Sequence, residues 1–359
     1  MDPRMILRTA LERREISAIE ALILYQEGQR VHEDIRQVAG EISRQLHRNS
    51  ASFVMSKTVH YTNPCRVPCR YCTYLGRRTS RSSAVRTPAQ VVREIRRTPG
   101  LTEVCLQGGP HPDIQLPDLL RLLRTVREEF PRVHLHAFSP AEVYFIARRG
   151  RLSVSDVLTQ MKEAGLDSMP GTGAEILNDK LRKKICPDIL RTVDWIEVVK
   201  AAHRLGISTT ATIHVGHIED EIHICEHLEI LRQIQRETGG FTEFVVMPFR
   251  PRAAAPGSRP LRTRPFSPEE VVRLCAISRI FFGSTFRNIQ ANPLLLGAPL
   301  AARCLAAGAN DIGGLAHDGV NGKPLAQAAR DLIRRAGFQP VQRDTLYRPV
   351  GAAKRRGTA

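Results

Sequence analysis

The chain has 359 residues, 42% of them hydrophobic and 25% charged, enough to bury a large core as one barrel-sized domain or two smaller ones. Its formal net charge is +17, yet the densest basic patches (Arg77, Arg78 and Arg81; Arg148, Arg149 and Arg151; Lys354, Arg355 and Arg356) are short and lack interleaved aromatics. That pattern weighs against a nucleic-acid partner and fits attraction of anionic small molecules or a negatively charged electron donor; with no membrane-length apolar run and no signal-peptide core, a cytoplasmic protein with reduced thiols is expected.

Residues 1–50 read as a helical extension, with apolar residues at helical spacing in ISAIEALILYQEG and VHEDIRQVAGEISRQLHR. From residue 51, short strand-like runs alternate with amphipathic helical ones. Strands are predicted near 53–61, 103–108, 133–138, 166–169, 208–215, 242–248, 285–291 and 309–313. Between them, Leu116, Leu119, Leu120, Leu123, Val126 and Phe130 make one helix face, and Ser267-Pro268-Glu269-Glu270 reads as a capping box with proline at the first helical position. Such alternation implies parallel strands joined by right-handed crossovers. The expected fold is an α/β (β/α)8 TIM-type barrel over 51–345, with an open barrel of six units as the rival. The Pro- and Arg-rich stretch 250–268 is expected to be a loop, and 346–359 a disordered basic tail.

Cys65, Cys69 and Cys72 stand in the run TNPCRVPCRYCTY, a C-x3-C-x2-C spacing. It offers three thiolates to one small metal centre. A four-iron cluster needs one ligand per iron, so three cysteines leave one iron open for chemistry. Structural zinc is the competitor, but such sites close with four ligands, and no second C-x2-C or H-x3-H run follows. Cys105, Cys186, Cys225, Cys275 and Cys304 are scattered and read as small core residues, with no disulfide scaffold expected.

In a barrel of this kind the loops after the strands' C-terminal ends build the active site. Gln107, Gly108 and Gly109 follow the second predicted strand, and glycine lets backbone approach a ligand closely. In VHLHAFSPAE, alternation puts His134, His136 and Phe138 on one face; His136 reads either as a hydrogen-bonded core residue or as a substrate-facing group. Glu175 is placed at a helix start, where the helix dipole favours a carboxylate. The strand 208–215 leads into Gly216, His217 and Glu219. His136, His217 and Glu219 are the candidate catalytic groups. Zinc held by His214, His217, His223 and His227 is disfavoured by their irregular spacing.

With Tyr71 just before its last cysteine, the run resembles the signature of the radical S-adenosylmethionine superfamily. The segments TNPC, QGGPHPD, HAFSPAE, MPGTGAEIL, TTATIHVGH, GGFTEF, NIQAN and AGANDIGG extend the resemblance to one branch of it. That branch holds the 4-hydroxyphenyl transferase subunit of deazaflavin (FO) synthase, aminofutalosine synthase and the dehypoxanthine futalosine cyclase of menaquinone biosynthesis. ICPD at 185–188 and CLAAGANDIGG at 304–314 look most like the transferase. The resemblance implies a radical SAM enzyme forming a C–C bond, with Cys65, Cys69 and Cys72 on a [4Fe-4S] cluster whose open iron chelates S-adenosyl-L-methionine. It implies Tyr71, Gln107, Gly108, Gly109, Ser139 and Glu175 around that cosubstrate. It further implies a small-molecule substrate and a low-potential electron donor such as flavodoxin or ferredoxin. The chain departs from the branch at Val54–His60, at Thr73 and Tyr74, at His214-Val215-Gly216-His217, at Arg250–Pro256 and at 314–318, most of which would line the substrate cavity. A zinc-stabilised RNA-binding protein is the alternative from another class.

Overall fold

The computed structural model describes residues 1–12, 15–27, 30–62, 65, 67, 69, 85–249, 262–314 and 325–350. Three helices come first: α1 (Pro3–Leu11), α2 (Ala18–Gln26) and α3 (His32–His47). The run β1 (Ser50–Val54), β2 (Ser56–His60), α4 (Pro88–Arg96), β3 (Glu103–Gln107), α5 (Leu116–Glu129), β4 (His134–Ala137), α6 (Pro140–Gly150), α7 (Val154–Glu163) and β5 (Ser168–Met169) follows. Next come α8 (Asp179–Ile185), α9 (Thr192–Arg204), β6 (Ser208–Val215), α10 (Glu221–Thr238), β7 (Phe241–Pro248), α11 (Pro268–Phe282) and β8 (Ile289–Gln290). The chain ends in α12 (Pro293–Leu296), α13 (Ala298–Ala306), α14 (Leu325–Arg335) and β9 (Gln339–Arg343).

Strands β2 to β8 form one parallel sheet in chain order, the arrangement that helical crossovers produce. Asp311 bridges both Gln290 of β8 and Ser52 of β1, so the segment predicted as an eighth strand survives as a short seam that closes the ring. The barrel is a (β/α)8-type core with one attenuated strand. The strand predicted over 53–61 is broken at Met55: β9 pairs along 50–54, and β3 pairs along 56–60. An Asp311–Arg343 pair, with nitrogen–oxygen distances of 2.7 and 2.8 Å, ties β9 to the seam.

Alternation decides which side chains face where. Val104, Leu106, Leu135 and Ala137 are buried against Leu119, Leu123 and Val126 of α5 and Val91 of α4. The opposite face of β3 and β4 points into the lumen, where Glu103 accepts from Ser56 and His136 meets Ser168. From the N-terminal helices, Ile6, Leu24, Ile35 and Ile42 share a core with Phe281 and Leu305. Capping boxes at Ser17, Thr87, Ser139 and Ser267 start α2, α4, α6 and α11, each cap contributing about 1 kcal/mol. No helix among the described residues is long and apolar enough to cross a membrane.

Candidate active site

The candidate site lies at the C-terminal ends of β2 to β6. Cys65 and Cys69 follow β2 and are buried, each 8% exposed. Cys72 and Tyr71 lie outside the described residues. The turn after β3 packs directly on this loop: a Cβ added to Gly109 would stand 2.5 Å from the Cys65 Cβ and 2.6 Å from its Sγ. At Gly108 it would meet the Tyr61 ring at 2.6 Å and the Thr62 methyl at 2.7 Å. Only glycine fits at either position. Gln107 closes β3 opposite His60, and the buried Thr62 hydroxyl has no hydrogen-bond partner among the described residues.

Ser139 caps α6, and both its N–H and its hydroxyl donate to Glu142 Oε2, at 2.8 and 2.7 Å. The other oxygen of Glu142 accepts the Tyr61 phenol from the end of β2. Burial pushes the Glu142 carboxyl above its ordinary value against the pull of Tyr61, Ser139 and the nearby Gly108 backbone. Phe138, between β4 and this cap, adopts φ +58° and meets the Tyr61 ring edge-on at 5.5 Å.

Glu175 sits in a bend four residues before α8 rather than at its start, with φ +49°. Its carboxylate pairs with His214 near the end of β6, and the His214 N–H donates to the Glu175 carbonyl at 2.8 Å. Arg182, buried beneath this loop, donates to the carbonyls of Gly173, Ala174 and Leu190 and so sets its course.

His217 and Glu219 come together, but mainly on each other and on the backbone. Glu219 accepts the N–H groups of Gly216 and His217, His217 Nδ1 lies 2.9 Å from Glu219, and His217 Nε2–H donates to the His214 carbonyl. Burial acts to raise the Glu219 pKa; the His217 ring and these N–H donors outweigh it and hold the group below its ordinary value. The pair thus fixes the turn leaving β6. His136 lies deeper, in register with Cys105 and Ser168, its Nδ1 2.7 Å from the Ser168 hydroxyl that His134 also shares. Burial lowers its pKa to about 4, so its ring stays neutral at physiological pH. The four histidines of the zinc reading do not converge: His227 is engaged by Leu177 N–H and the Thr212 carbonyl, while His223 pairs with Asp220 at the start of α10.

One cysteine departs from expectation. Cys186, read as a core residue, is disulfide-bonded to Cys69, whereas Cys105, Cys225, Cys275 and Cys304 are free and buried. The pairing spans 117 residues, and no local signal announces it. Ligation of iron by Cys69 requires that bond to be reduced, with two electrons and two protons restoring both thiols.

Comparison with known proteins gives the class. The radical SAM superfamily model matches residues 59–231, and the model of the CofH/MqnC C-terminal region matches 238–355. Solved structures of methylornithine synthase and of the FeFe-hydrogenase maturase HydG from Carboxydothermus hydrogenoformans share the fold. Their TM-scores are 0.72 and 0.74 at 16% identity, over 93% and 96% of this chain and 97% and 80% of theirs. Fold and sequence together define a radical SAM enzyme. The 5-amino-6-(D-ribitylamino)uracil–L-tyrosine 4-hydroxyphenyl transferase of Methanopyrus kandleri is 39% identical over 88% of this chain and 89% of its own length. The transferase of the same name from Archaeoglobus fulgidus is 38% identical, over 86% and 92%. The chain belongs to this transferase family, which replaces the zinc-stabilised RNA-binding alternative.

Members of the superfamily bind a [4Fe-4S] cluster and S-adenosylmethionine, and the donor set here fits such a cluster. Two described cysteines stand buried at the barrel mouth, Cys65 and, once its bond to Cys186 is reduced, Cys69, soft sulfur ligands of the kind iron–sulfur centres take, against a glycine turn with no room for a side chain. Tyr61 and Glu142 are not singled out by the sequence, and His214 enters there only as a disfavoured zinc ligand and a departure from the branch, not as the partner of Glu175. The S-P-A-E capping signal accounts for Glu142 so completely that its second oxygen goes unasked about.

Proposed function

We propose that this chain transfers the tyrosine-derived 4-hydroxyphenyl unit to 5-amino-6-(D-ribitylamino)uracil, forming a C–C bond in deazaflavin biosynthesis. The observation that carries the reading is the likeness to transferases of that name over most of both chains, including the C-terminal region. Cys65, Cys69 and Cys72 would hold the [4Fe-4S] cluster, with Tyr71, Gln107, Gly108, Gly109, Ser139 and Glu175 around S-adenosylmethionine. Bound there, cluster and cosubstrate supply a 5′-deoxyadenosyl radical to start the reaction.

The chain's own residues place and shield. Gly109 lets the turn after β3 close on Cys65, and Glu175, oriented by His214, presents a carboxylate at the mouth. His217 and Glu219 keep the turn after β6 folded, and neutral His136 lines the polar lumen. Apolar packing outside the strands and a closed ring exclude bulk water from the reacting atoms. A net charge of +17 favours docking of an acidic low-potential donor, flavodoxin or ferredoxin, in a reducing cytoplasm.

The test is incubation of the anaerobically reconstituted, reduced enzyme with S-adenosylmethionine, tyrosine and the ribityl uracil, and separately with the futalosine-route substrates. Mass spectrometry should find the coupled product only in the first mixture. Turnover only in the second would transfer the chain to the menaquinone route.

A further inference from the structure

Glu142 does more than a helix cap requires. A capping carboxylate needs one oxygen for the N-cap residue, and Ser139 is served by Oε2 alone. Oε1 instead spans to the Tyr61 phenol at the end of β2, and the Gly108 backbone at the end of β3 is near enough to the same carboxylate to pull its pKa down. One group, 3% exposed, therefore ties the end of β2 to the cap after β4 and lies beside the end of β3. Two of those ends meet again at Gly108, where the Tyr61 ring fills the space of a Cβ, and the neighbouring Gly109 touches Cys65.

We infer that Glu142, acting through Tyr61 and the Gly108–Gly109 turn, is a positioning residue for S-adenosylmethionine: it sets the height of the glycine turn above Cys65, beside which the cosubstrate, itself a cation, would be received. The inference rests on the radical SAM reading of the site. Placing a buried carboxylate behind the turn also favours a bound cation, because a charge already desolvated loses little more when an opposite charge arrives. Removing the phenol leaves Oε1 buried and unpaired, so the turn loses its tether while the cap at Ser139 stays intact.

Tyr61→Phe and Glu142→Gln are reconstituted alongside the wild type, and three quantities are read: iron and acid-labile sulfide per chain, the change in the reduced cluster's EPR spectrum on adding S-adenosylmethionine, and KM against kcat for 5′-deoxyadenosine formation. Full cluster loading is expected in both variants, with KM for S-adenosylmethionine and the concentration needed for the EPR change each raised about tenfold while kcat stays within about threefold. The double variant should be no worse than Glu142→Gln, because the two residues act as one unit. Wild-type affinity in both fully loaded variants would overturn the inference, as would parallel loss of cluster, which would assign Glu142 to the cluster loop. A wild-type chain that never takes up a cluster would sink the reading of the site, and this inference with it.

Discussion

Replacing Gly109 with alanine is the smallest change that should disable the site. The added methyl would stand 2.5 Å from the Cys65 Cβ, 2.6 Å from its Sγ and 3.2 Å from its Cα, whereas carbon atoms pack at about 3.5–4.0 Å. At least one of the two segments must retreat by about 1 Å, and because the Cys65 backbone is among the close atoms, turning one side chain does not relieve the clash. Metal–ligand distances tolerate only about 0.2 Å. The required shift is several times larger than that. Overpacking of this kind costs about 1–3 kcal/mol, so the fold should survive while the thiol leaves its place. Gly109→Ala should show wild-type circular dichroism, a slightly lower melting temperature and less than about a third of the wild-type sulfide content after anaerobic reconstitution. Full loading with normal S-adenosylmethionine cleavage would refute the packing argument.

Asp311→Ala strands the Arg343 guanidinium, which is 3% exposed in the barrel seam, and should cost about 3–5 kcal/mol in urea unfolding; a loss under 1 kcal/mol would show the seam to be dispensable. Glu243, buried with one carboxylate oxygen lacking a partner among the described residues, has its pKa raised by burial from 4.5 to about 7. Its protonated form is favoured in the fold, so that contribution to stability is complete below pH 4.5 and fades as the pH rises through 7. Glu243→Gln should therefore match the wild type near pH 4.5 and exceed it by up to about 3 kcal/mol at pH 8; an equal difference at both pH values would dismiss the titration. Non-reducing peptide mapping of cluster-free enzyme should recover the Cys69–Cys186 cross-link, and Cys186→Ala should load its cluster without added thiol reductant. Loading that still depends on reductant in that variant would place the obstruction elsewhere.

Much of the architecture was legible because the physics that sets it is local. Alternation marks β3 and β4, and helical periodicity with a first-turn proline marks α5 and α11. The misses are tertiary. Gln339–Arg343 contains proline and two glutamines and carries no strand prediction; it becomes a strand because β1 offers it an edge. The break at Met55 follows from the same cause, a change of partner from β9 to β3.

The site divides in the same way. A cysteine run advertises its chemistry through spacing alone, and a glycine pair advertises a turn. What the glycines make room for, Cys65 and Tyr61, lies more than forty residues upstream and needs the fold to be seen. His217 and Glu219 were singled out for their chemistry, yet their bonds go to each other and to the turn. The pairing of Cys186 with Cys69 depends on where α8 ends, which no nearby residue states.

Cleavage of S-adenosylmethionine by the anaerobically reconstituted, reduced enzyme tests the cluster assignment most directly, with Cys65→Ala, Cys69→Ala and Cys72→Ala in parallel. The wild type should carry about four iron and four sulfide per chain and yield 5′-deoxyadenosine, and each variant should yield none. A chain that stays free of acid-labile sulfide, or a variant that cleaves as well as the wild type, would contradict it.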